Sequence, residues 1–156
     1  MSNNVQLRNV KVSDLSIFFE HQLDPEATEM AAFPSRDRDA FMAHWNKILG
    51  DATVVAKTVL FEGRVAGNIV SFEQYGEREF GYWIGKEYWG KGIATQALSQ
   101  FLEYENTRPL YAHVAKHNVA SRRVLEKRGF AVIGVEFWLS DAGSEQGEGY
   151  ILKLEE

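Results

Sequence analysis

Residues 88–98 read YWGKGIATQAL. Two glycines bracket a lysine, and a run of good helix formers follows. Ala94, Ala97, Leu98, Phe101 and Leu102 recur at three and four and predict a helix over about 93–105. Upstream, 78–84 (REFGYWI) is rich in aromatic and branched residues and predicts a strand. Strand, glycine-rich loop and helix in succession turn unpaired backbone N–H groups toward whatever docks at the helix start. Taken alone, the loop is either a tight turn or an anion site. It is not the GxxxxGK[ST] phosphate loop, and its GxGxxG match is incomplete.

The next segment decides more. Residues 109–115 predict a fifth strand, and Asn118 caps a helix over 119–128 that Gly129 stops. A strand–helix–strand unit over 78–115 places its two strands parallel. The helix starts near Gly92 and Asn118 then lie at one edge of the sheet, the usual ligand position in parallel α/β units. Asn118 is explained equally by simple capping, and Ser121 lies one turn further on.

Working outward, 5–10 alternates weakly as a first strand. Ser13 is expected to cap a helix to about residue 21. The stretch 24–35, with Pro25 and Pro34, is expected to be a loop or broken helix, and Ser35 to cap a second helix over 37–49. Strands are predicted over 53–61, 65–72, 130–139 and 150–154, with Glu62-Gly63-Arg64 as a hairpin turn. The order is β-α-α-β-β-β-α-β-α-β-β. This predicts an α/β (α+β) architecture: a mixed, mostly antiparallel sheet of about seven strands with helices on both faces. A parallel pair beside antiparallel strands also invites a gap where strands diverge. No linker, repeat or low-complexity tract interrupts 1–156, so one domain is expected.

Composition sets further bounds. The 156 residues carry 17 Lys+Arg against 22 Asp+Glu, a net charge of −5, with 45% hydrophobic residues. That profile is globular and lacks the basic excess of nucleic-acid binders. A cationic acceptor suits it better. No apolar run approaches the ~20 residues of a membrane helix, and 1–10 shows no secretory signal pattern. With no cysteine, thiolate nucleophiles and thiolate metal sites are excluded. His21, His44, His113 and His117 are too dispersed for a metal site. A cytoplasmic compartment is expected, with no nucleic-acid or membrane partner, and with monomer and homodimer both open. Phe137 and Trp138 are either interface or core.

Residues 78–130 (REFGYWIGKEYWGKGIATQAL…LYAHVAKHNVASRRVLEKRGF) resemble the acetyl-CoA-binding half of the GNAT N-acetyltransferases, closest to the ribosomal-protein N-terminal (RimJ/RimL-like) branch. The family signature Q/R-x-x-G-x-G/A maps to Trp89, Gly92 and Ala94, Trp89 being a departure familiar in that branch. The resemblance implies a CoA pyrophosphate held by backbone amides of Trp89, Gly90, Lys91, Gly92, Ile93, Ala94 and Thr95. It implies a pantetheine arm pairing with the backbone of Trp83 and Ile84, near Asn118, and a strand amide that polarises the thioester carbonyl. Many members carry a tyrosine on the helix after the fifth strand. Here that position is Leu125, and Ser121 is the replacement, either in the chemistry or only at the helix start.

An attacking amine must be neutral, which requires a base. Glu79 and Glu73 are the candidates, each also explained as a surface carboxylate. Met30, Phe33 and Arg36 lie where this family borders its acceptor site. The implied activity is acetyl-CoA-dependent N-acetyl transfer, directly to a primary amine of a small molecule or a protein or peptide N-terminus, without a metal. A non-catalytic acyl-CoA sensor or scaffold is the alternative, and a nucleotide-phosphate enzyme rests on the glycine loop alone.

Overall fold

The computed structural model describes residues 4–32, 35–139 and 146–156. Strand β1 (Val5–Asn9) leads through a 3-10 turn (Val12–Asp14) to helices α1 (Leu15–His21), α2 (Pro25–Ala31) and α3 (Arg38–Leu49). Strands β2 (Val55–Phe61), β3 (Arg64–Gln74) and β4 (Glu77–Ile84) follow. Then come α4 (Ile93–Tyr104), β5 (Leu110–Ala115), α5 (Val119–Lys127), β6 (Ala131–Leu139) and β7 (Gln146–Leu154).

Three early elements differ from the sequence expectation. Within the stretch expected as a loop or broken helix, residues 25–31 form a regular helix, because Asp24 caps it by accepting from the N–H groups of Glu26 and Ala27, and Pro25 sits at its first turn, where no N–H is needed. Asp37, not Ser35, caps α3 through the N–H of Ala40 at 2.8 Å. Asp14, not Ser13, organises the start of α1: its buried carboxylate takes Arg8, the Lys11 N–H and the Thr58 hydroxyl. Burial opposes its charge, and those bonds outweigh it, so its carboxyl lies below the ordinary value.

The sheet order is β1-β2-β3-β4-β5-β7-β6. Among the described residues only β4 and β5 run parallel, and their register covers just Arg78↔Leu110 and Glu79↔Tyr111. Beyond that point the β5-facing edge of β4 from Phe80 to Ile84 has no strand partner among the described residues, which is the expected gap. One face of the sheet packs Ile69, Phe80, Leu110 and Leu152 against Leu98 and Phe101 of α4 and Leu125 of α5. The other face packs Ala56 and Val70 against Leu15, Phe18, Phe41 and Trp45 of α1 and α3. On β6, Ile133, Val135 and Phe137 are exposed; the side chain of Trp138 lies outside the described residues.

A buried network locks the paired end of β4. Arg78 Nε donates to Glu105 Oε1 at 2.7 Å, and the Ser71 hydroxyl donates to the same oxygen at 2.5 Å. Burial raises the Glu105 carboxyl, but Ser71, Arg78 and the Thr107 N–H together hold it below its ordinary value. Its contribution to stability is therefore present above the unfolded carboxyl value and lost as pH falls through the lower folded one. Arg78→Ala leaves that charge buried and unpaired, at a cost of about 3–5 kcal/mol. Urea unfolding checks this, and the loss shrinks in acid, where Glu105 takes a proton.

Candidate functional site

The glycine loop is pinned at its front. The Trp89 indole N–H donates to the Ile84 carbonyl at 2.9 Å, and the Trp89 backbone N–H donates to the Lys86 carbonyl at 3.0 Å. The Ile84 carbonyl is therefore already occupied, and its side chain is buried in the core. After Trp89 the chain turns through Gly90 (φ 77°) and Gly92 (φ 74°), left-handed conformations that side chains with a Cβ rarely adopt. The first helix-type bond of α4 is Gln96 N–H to the Gly92 carbonyl. Among the described residues, the N–H groups from Gly90 to Thr95 have no acceptor. A Cβ at Gly90 or at Gly92 would meet nothing within 4 Å. The amides thus line open space, an opening of about 320 Å³ bordered also by Ala27, Met30, Tyr82, Trp83 and Asn118.

The start of α5 closes the other side. Asn118 Oδ1 accepts from the Ser121 N–H at 3.2 Å, and the Ser121 hydroxyl accepts from the Tyr82 hydroxyl at 2.8 Å. Burial pushes the Tyr82 phenol up, against the opposing effect of Ser121. Leu125, 1% exposed, fills the core one turn further along. The buried Trp83 indole N–H has no partner among the described residues, and Gly67 lets β3 approach here, since a Cβ at Gly67 would collide with the Trp83 carbonyl.

A larger cavity of about 710 Å³ lies over the α1–α3 face and reaches through the β4–β5 gap. Ala31, Tyr82, Trp83, Asn118 and Ser121 border both cavities, so the two meet there. Arg36 and Glu73 line the larger one. Met30 lines only the smaller one, because α2 roofs the glycine loop instead of bordering the far side. The His117 ring bonds the Glu29 carbonyl at 2.7 Å and ties α2 to the start of α5. Phe33 lies outside the described residues.

The expected base is placed differently from its sequence reading. Glu79 is 6% exposed and does not border the cavity. His113 does, and it bridges two carboxylates: Nε2 lies 3.3 Å from Glu79 Oε1 and Nδ1 lies 2.6 Å from Glu136 Oε2. Burial opposes a charge on His113, but Glu136 and then Glu79 outweigh it and raise the imidazole above its ordinary value. Burial likewise raises the Glu79 carboxyl, with His113 counteracting. His113, Glu136 and Tyr82 are the residues that sequence reasoning missed. Strand alternation offered a partial signal for one of them: it puts Tyr82 on the face of Phe80 and Ile84, opposite Trp83, and the structure turns that face toward the helix that carries Ser121.

The acetyltransferase (GNAT) domain family matches residues 4–131. The chain belongs to this family. It is 31% identical over 143 residues to the spermidine N(1)-acetyltransferase of Escherichia coli (strain K12), covering 85% of this chain and 76% of that one. It is 31% identical over 102 residues to a Bacillus subtilis protein provisionally named ribosomal N-acetyltransferase YdaF, covering 60% and 55%. Its fold matches that of the spermidine N-acetyltransferase from Vibrio cholerae in complex with CoA and spermine, with TM-score 0.84, 20% identity, and 99% and 96% of the two chains covered.

This GNAT protein is therefore an acetyl-CoA-dependent N-acetyltransferase that acetylates an amine. Its own residues suit that co-substrate: the amides of Gly90 to Thr95 are the donors that a pyrophosphate needs, and the edge of β4 beyond Glu79 offers the backbone groups with which a strand-like arm would pair. Among the described residues no cluster of three or more His, Cys, Asp or Glu side chains forms a metal site, and no helix is long and apolar enough to cross a membrane.

Proposed function

We propose that the chain works as one domain and transfers the acetyl group directly from acetyl-CoA to a primary amine, of a small molecule or of a protein or peptide N-terminus. One observation carries this reading: the two cavities meet at the β4–β5 gap, where Tyr82, Trp83, Asn118 and Ser121 border both. The amides of Gly90 to Thr95 hold the pyrophosphate, and the free edge of β4 at Phe80–Trp83 aligns the pantetheine arm. The amine enters from the α1–α3 side, past Arg36 and Glu73. Holding both reactants at one gap removes the orientational cost of a bimolecular encounter.

On the acceptor side, the Glu79–His113–Glu136 cluster titrates as a unit. With His113 charged the cluster carries one net negative charge and favours an ammonium beside it. With its last proton lost, it takes the proton of that ammonium, through a water where the distance requires one. A backbone N–H of β4 faces the developing oxyanion, and the Ser121 hydroxyl faces the departing sulfur.

The net charge of −5 favours a cationic molecule. Relatives named for spermidine and for ribosomal proteins set the two arms of the test. CoA thiol release is measured with polyamines, small monoamines and peptides bearing a free N-terminus. Saturable release with one class and a kcat/KM at least about tenfold above the others assigns the acceptor. Binding of acetyl-CoA with no release on any amine contradicts the proposal in favour of a non-catalytic acyl-CoA module.

A further inference from the structure

We propose that Tyr82 is a positioning residue for acetyl transfer: by donating to the Ser121 oxygen it leaves the Ser121 proton to the departing sulfur. The inference rests on the reading that the Ser121 hydroxyl faces that sulfur, and it adds the residue that makes the hydroxyl a usable donor.

A serine hydroxyl has one proton and two acceptor lone pairs. Near a helix start it commonly spends the proton on a backbone carbonyl a turn earlier. Here the Tyr82 and Ser121 hydroxyl oxygens lie 2.8 Å apart; the phenol is the stronger acid of the two and so donates, Ser121 Oγ accepts, and among the described residues no other group accepts from Ser121 Oγ. Its proton is therefore unspent, at a position that borders both cavities. Asn118 fixes the other end of the same residue by accepting the Ser121 N–H at 3.2 Å. Tyr82 is held as well: its ring packs against the core built by Phe80, Leu98 and Phe101.

Tyr82 does not replace the missing helix tyrosine as a proton donor. A phenol ordinarily loses its proton near 10 and a thiol near ~8.5, and burial raises the Tyr82 phenol further. Full transfer from Tyr82 to the thiolate runs uphill, whereas a fixed hydrogen bond from Ser121 does not require it. Leu125, sealed in the core, supplies no acid either. The step balances without one: the amine nitrogen bonds to the carbonyl carbon, the carbon–sulfur bond breaks with its electron pair on sulfur, and the amine proton leaves through the His113 cluster. The sulfur departs as a thiolate hydrogen-bonded to Ser121, and solvent protonates it after release.

The test reads the thiol of CoA bound to the full chain, titrated by ultraviolet thiolate absorbance, beside steady-state kinetics. Wild type, Tyr82→Phe, Ser121→Ala, Ser121→Thr and the double variant Tyr82→Phe/Ser121→Ala are compared, with thermal unfolding as the folding control. In wild type the bound thiol is expected to titrate below its free value. Each of Tyr82→Phe and Ser121→Ala raises it and lowers kcat about tenfold, the size of a lost hydrogen bond to a charged group, with acetyl-CoA affinity within about twofold. The double variant is no worse than Ser121→Ala alone, and Ser121→Thr retains most of the rate. Additive losses in the double variant overturn the proposal, as does a Tyr82→Phe effect confined to affinity or melting temperature with the thiol unmoved. A Ser121→Ala variant that matches wild type in both readouts removes the Ser121 reading and this inference together. A wild type that titrates as expected yet acetylates no amine contradicts the proposed function alone.

Discussion

Gly92→Val abolishes useful acetyl-CoA binding, raising Kd at least about 100-fold, while Lys91→Ala raises it less than about fivefold. The asymmetry follows from where the loop's donors are. Gly92 holds φ 74°, and a branched side chain there costs backbone strain before any ligand arrives. Gly92 borders the same opening as Gly90, Ile93, Ala94 and Thr95, whose N–H groups have no acceptor among the described residues. A loop that shifts to relieve the strain takes those N–H groups away from a phosphate. Two lost charge-assisted bonds at about 1.5–3 kcal/mol each account for the loss. Lys91 is exposed, and a mobile surface ammonium contributes about 1 kcal/mol or less to an ion pair in water. Isothermal titration of the two variants checks the order, with circular dichroism confirming that Gly92→Val folds. The reverse order contradicts an amide cradle and makes the lysine the phosphate ligand.

His113→Ala lowers kcat by about 100-fold with acetyl-CoA affinity unchanged, within the range that general-base removal produces. The pH profile separates this role from a structural one. His113 lies between Glu136 at 2.6 Å and Glu79 at 3.3 Å, and its imidazole is raised above the ordinary value. The rate therefore increases with pH until the cluster loses its last proton, at a pH above the ordinary histidine value. Glu136→Gln removes the stronger partner, so the acid limb of kcat/KM for the amine moves to lower pH and the plateau falls with the weaker base. Stability moves in the matching direction. A raised histidine contributes stability that is fully present below its unfolded value and lost as pH rises through the folded one. Loss of His113 therefore destabilises the fold mainly on the acid side. A Glu136→Gln profile that overlays wild type contradicts the base assignment.

The glycine loop and the α5 start were legible because their signals are local. Trp89 to Thr95 carries two glycines ahead of helix-forming residues, and Asn118 to Ser121 carries a capping residue at a helix start. The parallel β4–β5 pair and its gap followed from a strand–helix–strand order. What was not legible depends on pairing across long separations. β7 inserts between β5 and β6, so that Ile151 faces both His113 and Gly134. No local pattern announces this, and it is what brings β6, with Glu136, two strands away from His113. The Glu79–His113 and Tyr82–Ser121 contacts likewise join residues far apart in the chain, so no local pattern singled out His113 or Tyr82 for the site. The region 25–31 was legible only as a loop or broken helix, for a local reason: two prolines lie in 24–35, and Pro25, after Asp24, stands at the one helical turn that tolerates it.

A crystal structure with CoA bound measures the central claim most directly. The account predicts the pyrophosphate on the amides of Gly90 to Thr95, the pantetheine arm along the free edge of β4 between Phe80 and Trp83, and the sulfur within hydrogen-bonding distance of Ser121 Oγ, opening onto the cavity that His113 borders. A pyrophosphate held away from that loop, or a sulfur that does not reach the β4–β5 gap, contradicts it.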